Sequence, residues 1–310
     1  MPLLTIHHKT QYRYARPVAF GEHRIMLRPR DGHDLRVLES RLEIVPEPMQ
    51  LRWIHDVFGN SVAIARFNGR TRELRFESTV RLDHWPQHAL DFRLDEQAQI
   101  YPLSYSSDEM PDLARSIERL YPDPDHATDQ WARRFLHRDG PTRVLDLLRD
   151  MTDAIKREHS YVPRYDGGIQ DPAKTLRVGS GTCRDFAVLM IEAARSLGLA
   201  ARFVSGYLYM PSVDRGAHLG GGATHAWARI YLPGAGWVEF DPTNGIVGNR
   251  DLIRVAVARD ARQAVPLSGT WFGFPSDNLG MTVEVNVTME EPSQEGIAPA
   301  AEPYVQTSSS

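Results

Sequence analysis

A chain of 310 residues exceeds the usual single-domain length, so two domains of roughly 100 to 200 residues are expected, each able to bury a full core. Its 42% hydrophobic and 25% charged content, with six Trp, excludes a disordered or fibrous chain. The formal net charge of -4 leaves no overall basic field, which argues against nucleic-acid partners and against attraction to a membrane surface.

From Leu3 to about Pro86 the sequence consists of short alternating apolar runs, at 5–14, 36–46, 61–67 and 73–82, separated by turn residues; these predict strands. Asn68-Gly69 is the dipeptide of a tight hairpin. An all-β, sandwich-like domain over residues 1–100 follows. Arg24, Arg28, Arg30 and Arg36 fall within it and are expected on a solvated face.

The stretch from Pro102 to Pro124 is turn-rich, after which residues 125–137 and 142–159 change to a helical period, with Val144, Leu147, Leu148, Met151 and Ile155 on one stripe. Gly167, Gly168, Gly179 and Gly181 interrupt a loop leading into 185–197, where only Glu192, Arg195 and Ser196 relieve an apolar run after Asp185; this predicts a buried helix. Strands are expected at 201–209, 226–232, 237–240, 252–258 and 282–288. One helix against an antiparallel sheet makes the second domain, residues 101–289 with its C-terminal strands, α+β. The tail 290–310, rich in Pro, Ser, Glu and Ala, lacks periodic apolar residues and is expected to be disordered. No run of 18 apolar residues exists, and the first 14 residues lack the apolar centre of a signal peptide, so a cytoplasmic location is the default expectation.

The single cysteine, Cys183, excludes an intrachain disulfide and multi-cysteine zinc sites. A lone Cys is more often a small buried hydrophobe than a nucleophile. Its position argues otherwise: Thr182 and Asp185 fit a capping box in which the Thr side chain accepts the N–H three residues on, making Cys183 the first helical residue. There the positive end of the helix dipole favours negative charge on sulfur. Asp185 acts in the opposite sense, with Arg184 as its expected counter-charge.

A cysteine nucleophile needs an imidazole to share its proton and a third group to hold that ring. None of the 12 His forms a His-x-His or His-Glu-x-x-His arrangement, so metal chemistry has little support. His225 opens a predicted strand, and the returning strand ends at Asp241 before Pro242. If Tyr231 opposes Trp237 across an odd-length turn, His225 and Asp241 become same-face diagonal neighbours about 7–8 Å apart at the backbone. An even-length turn without a bulge would place them on opposite faces. A sole Cys at a helix start, a strand His and a hairpin-returning Asp, in that order, point to cysteine catalysis with Cys183, His225 and Asp241 as catalytic residues.

These residues lie in distinctive blocks: Gly-Ser-Gly-Thr-Cys-Arg-Asp-Phe-Ala from Gly179, Ala-Arg-Phe-Val-Ser-Gly-Tyr from Ala201, Thr-His-Ala-Trp from Thr224, and Gly-Trp-Val-Glu-Phe-Asp-Pro-Thr-Asn-Gly from Gly236. From about Tyr161 to Gly248 the chain resembles the bacterial transglutaminase-like proteins, and residues 3 to about 85 look like the β-sandwich that precedes the core in that group. The resemblance implies a papain-like α+β core with Cys183 as nucleophile, His225 as general base and acid and Asp241 as orienting carboxylate. It further implies attack on a glutamine carboxamide or peptide bond of a protein, peptide or polyamide, giving a thioester resolved by an amine or water. The Cys183 N–H is one expected oxyanion donor; Gln170 and Tyr161 are candidates for a second, though Gln170 reads first as a loop-surface residue and Tyr161 first as core. Trp227, Trp237 and Phe240 read first as core and second as walls of a substrate groove. Asp214 and Asp251 lack the periodic oxygen ligands of a calcium loop, so no metal or organic cofactor is expected. Two other readings stay open: a simple amidase, and a binding module carrying an inactive triad.

Overall fold

The computed structural model describes residues 3–85, 92–164, 168–209 and 222–290. The expected tail from 291 onward, Gly167 and Asp214 lie outside the described residues.

The first strand, β1 (Leu3–Ile25), is long enough to serve two sheet halves. Its N-terminal part alternates strictly, burying Leu4, Ile6, His8 and Thr10. That part pairs with β5 (Thr71–His84), which in turn pairs with β2 (Leu35–Val45). The register is interrupted between Arg13 and Val18, where Pro17 offers no backbone donor, and the strand then continues against β4 (Ser61–Arg66) and, beyond it, β3 (Gln50–His55). Tyr14, Val18, Phe20, Ile25, Leu74 and Phe76 form a core between the two halves, so the all-β, sandwich-like expectation is met. Strand β3 was not foreseen: its burial pattern lacks the two-residue alternation, and Leu51 and Trp53 remain exposed.

The second half opens with β6 (Ile100–Tyr101), which pairs with β7 (Thr142–Arg143). Between them lie α1 (Met110–Ile117) and α2 (Ala127–Arg133), and α3 (Val144–Glu158) follows with all five residues of the predicted stripe buried. Helix α1 occupies the segment read as turns: its apolar stripe of Met110, Leu113 and Ile117 spans only two turns and is enclosed by the turn residues at Pro102, Ser106-Ser107, Pro111 and Pro122. Next come the paired β8 (Ser160–Tyr161) and β9 (Ser180–Gly181), with α4 (Pro172–Val178) between them. Helix α5 (Cys183–Ser196) lies on a five-stranded antiparallel sheet whose spatial order is β13 (Ile246–Val247), β12 (Gly236–Asp241), β11 (His225–Leu232), β10 (Ala201–Leu208) and β14 (Leu252–Ala258). Phe186, Leu189, Met190, Ala226, Ala228 and Phe240 belong to the apolar cluster between helix and sheet. The α+β class follows directly.

One expectation is corrected. The last strands, β15 (Leu267–Phe272) and β16 (Asn278–Glu290), do not extend the second domain's sheet but pair with β1, β16 running alongside it from Leu3 opposite Glu290 to Tyr14 opposite Asn278. With β5 on one side, β1 would otherwise present an open edge of unpaired N–H and C=O groups, and β16 fills it.

The polar residues of α5 tie it to its surroundings. Glu192 and Arg195 form a fully buried pair at 2.8 Å; Glu192 also accepts the Leu120 and Tyr121 N–H groups, while Arg195 donates to the carbonyls of Ser116, Ala201 and Arg259. Glu192→Ala strands a buried guanidinium and is expected to lower stability by about 3–5 kcal/mol, measured by urea unfolding. A loss within the range of a surface mutation would contradict the role given to this pair.

Candidate active site

Cys183 owes its position to the loop in front of it. Tyr161 pairs with Gly181, and a side chain at 181 would place its Cβ 2.9 Å from the Asp185 Cβ and 3.2 Å from the Phe186 ring, so only glycine lets the chain approach α5 this closely. Thr182 then caps the helix and Cys183 is its first residue, as expected. The capping hydrogen bonds differ in one respect. Asp185 Oδ2 accepts both the Thr182 N–H, at 2.7 Å, and the Thr182 hydroxyl, at 2.9 Å, so that hydroxyl donates to the carboxylate, the stronger acceptor. The other carboxylate oxygen accepts the Gln170 N–H at 2.7 Å and Arg164 Nη2 at 2.9 Å. Arg164, rather than the exposed Arg184, therefore answers the Asp185 charge.

Of the two readings of Gln170, the structure favours the loop residue over the oxyanion donor. Its amide nitrogen donates to Thr175 Oγ1 and the Ser180 carbonyl, at 3.1 and 2.9 Å, and its oxygen accepts from Arg164 at 3.3 Å. Both N–H groups are spent holding the loop. Tyr161 lies on β8 and packs against the main core.

The hairpin bears out the expected register: Tyr231 opposes Trp237, Leu232 opposes Gly236, and three residues, 233–235, make the turn. At its tip Gly234 has φ +86°, and a Cβ there would lie 2.5 Å from the Asp95 nitrogen. His225 and Asp241 accordingly meet, Nε2 donating to Asp241 Oδ2 at 2.7 Å. Asp241 is itself held by the Thr243 N–H on Oδ1 at 2.9 Å and by the Asn244 side-chain amide on Oδ2 at 2.8 Å. Asn244 has no role expected from the sequence beyond its place in a Pro-Thr-Asn-Gly turn three residues after Asp241. The Lys156 ammonium holds the Asn244 carbonyl at 2.8 Å, anchoring the turn to α3.

His225 is 1% and Asp241 0% exposed, so burial by itself would lower the imidazole's proton affinity and raise that of the carboxyl. Their mutual attraction and hydrogen bond overcome this: His225 is held above the usual imidazole range and Asp241 below the usual carboxylate range. Both shifts favour the charged form of the pair, an imidazolium beside a carboxylate. The Cys183 thiol also interacts with this ring and favours its protonated form. With Nε2 committed to Asp241, Nδ1 is the nitrogen left for sulfur, and it has no well-formed hydrogen bond of its own.

Cys183 is 7% exposed and lines a cleft of about 340 Å³ together with His225, Ile169, Phe203, Ser205 and Val265. The sulfur thus has a route from solvent. Trp227 and Phe240 are fully buried core residues, and Trp237 packs under the Arg202 guanidinium at 4.2 Å; none of the three lines this cleft.

Residues 4–83 match the bacterial transglutaminase-like N-terminal region, and residues 129–242 match the transglutaminase-like superfamily core, together more than half of the chain. The chain belongs to the transglutaminase-like superfamily. This transglutaminase-like protein is 29% identical over 286 residues to the uncharacterized protein Rv2569c of Mycobacterium tuberculosis, covering 90% of each chain. It is 27% identical over 300 residues to the uncharacterized protein ML0607 of Mycobacterium leprae, covering 90% of this chain and 96% of that one. Its fold is shared with a crystal structure from Cytophaga hutchinsonii described as a candidate cysteine protease, at a TM-score of 0.68 and 19% identity, over 94% of this chain and 91% of the other. The superfamily match supports a thiol-dependent enzyme in general terms.

Proposed function

We propose that this protein cleaves an amide through a thioester on Cys183, with His225 and Asp241 completing a catalytic triad, and passes the acyl group to water or an amine. The observation that carries the reading is the buried His225–Asp241 pair at 2.7 Å, which leaves Nδ1 for the only thiol of the chain, itself at a helix start in an open cleft. The thiolate attacks the carbonyl carbon of a glutamine carboxamide or peptide bond in a protein, peptide or polyamide. Negative charge on the carbonyl oxygen meets the Cys183 backbone N–H, one of the first-turn donors that lack an intrahelical acceptor. His225 gives its proton to the departing nitrogen as the C–N bond breaks. The incoming water or amine then loses a proton to His225 and displaces the sulfur, which restores the thiolate.

Mass spectrometry of the full chain incubated with a peptide pool tests this directly. An acyl adduct on the peptide containing Cys183 is expected in the native protein and absent from Cys183→Ala. Adducts distributed equally over both proteins, or none on a thiol that alkylates freely, would overturn the reading.

A further inference from the structure

Ser205 sits on the floor of the cleft in a setting that its own fold does not require. On β10 it stands between Ala226 of β11 and Ala256 of β14, so its immediate cross-strand neighbours are methyl groups that leave its hydroxyl uncovered. It is 4% exposed, lines the cleft with Cys183 and His225, and its Oγ has no hydrogen-bond partner among the described residues. Much of the surrounding lining is apolar, including Phe203, Ala226, Ala264 and Val265. A buried hydroxyl without a partner is costly, and alanine at this site, as on both neighbouring strands, would avoid the cost.

We infer that Ser205 reads the acyl donor: its hydroxyl hydrogen-bonds the carboxamide that enters the cleft beside Cys183, so that the site selects an amide over a hydrocarbon of the same shape. The inference rests on the proposed acyl chemistry at Cys183 and adds to it a residue that positions the substrate. Discrimination of this kind arises because a site built around a polar group leaves that group unpaired when the wrong ligand enters.

Two alkylating reagents separate this role from any effect on the thiol. Bromoacetamide presents a carboxamide; methallyl bromide has the same shape, with a methylene and a methyl in place of the amide oxygen and nitrogen. Rates of Cys183 modification by each, followed by mass spectrometry on the full-length native protein and on Ser205→Ala, give a ratio from which thiol reactivity cancels. Ser205→Ala is expected to lower the bromoacetamide-to-methallyl ratio about fivefold, the worth of one hydrogen bond, with a melting temperature equal to or above that of the native protein. An unchanged ratio on a fast-reacting thiol overturns the assignment of Ser205 and leaves the acyl chemistry standing. A fall in both rates together with a lower melting temperature also overturns it, because the residue would then be structural. A native Cys183 inert to both reagents sinks the acyl chemistry and this inference with it.

Discussion

Replacing His225 with alanine is expected to slow capture of Cys183 by iodoacetamide about 100-fold at pH 6.5, with the native and variant rates converging above about pH 9. An ordinary thiol is only about 1% ionised at pH 6.5, and the thiolate is the species that reacts. In the native protein His225 is held protonated well above neutrality, chiefly because Asp241 outweighs the opposing effect of burial, and the resulting cation stands beside the sulfur. Alanine removes the cation and leaves the helix terminus as the remaining stabiliser of negative charge. Superimposable rate–pH profiles for the two proteins would show that His225 does not activate the thiol.

Asp241 carries the second large effect, and it acts on both turnover and stability. Asp241→Asn keeps the shape but cannot hold an imidazolium, and acyl transfer is expected to fall by about 100- to 10,000-fold. Asp241→Ala strands a buried cation and is expected to cost about 3–5 kcal/mol. The pH dependence of that cost has a definite sign. His225 has its proton affinity raised in the folded state, so its share of stability is fully present below its ordinary value of 6.5 and is lost as pH climbs toward about 10. Asp241 has its value depressed, so its share is present above the ordinary 3.8 and is lost as pH falls through the folded value. Urea titrations of native protein and Asp241→Ala are therefore expected to differ most between about pH 4 and 6.5 and to approach one another on either side. A difference independent of pH would mean that the two groups are not an ion pair.

The most informative part of the sequence was the hairpin, because strand pairing has a strict period of two. Parity alone required an odd turn if His225 and Asp241 were to share a face, and the three-residue turn at 233–235 provides it. The start of α5 was equally legible, since a Thr-x-x-Asp cap leading into an apolar run is a local signal. Short helices were not: α1 buries two residues, and α4 spans seven, although its Asp171-Pro172 start is a cap that spacing could have disclosed. Gln170 could not be decided from sequence, because a loop glutamine has the same appearance whether its amide faces a substrate or, as here, braces its own loop. Ser205 and Asn244 lay within distinctive blocks, yet the use of each depends on neighbours brought by other strands. The pairing of β16 with β1 joins segments more than 250 residues apart, and no local pattern encodes such a partner.

That long-range pairing bears on how the molecule is assembled. During synthesis the first strand emerges early, but the segment that covers its open side is made only after the whole transglutaminase-like core has been translated. Throughout that interval a strand edge more than ten residues long, with its N–H and C=O groups unpaired, is available to any neighbouring chain with an extended stretch of its own. Closure of the amino-terminal layer is thus a late folding event, and a shortened chain ending before residue 278 would carry a permanent invitation to self-association.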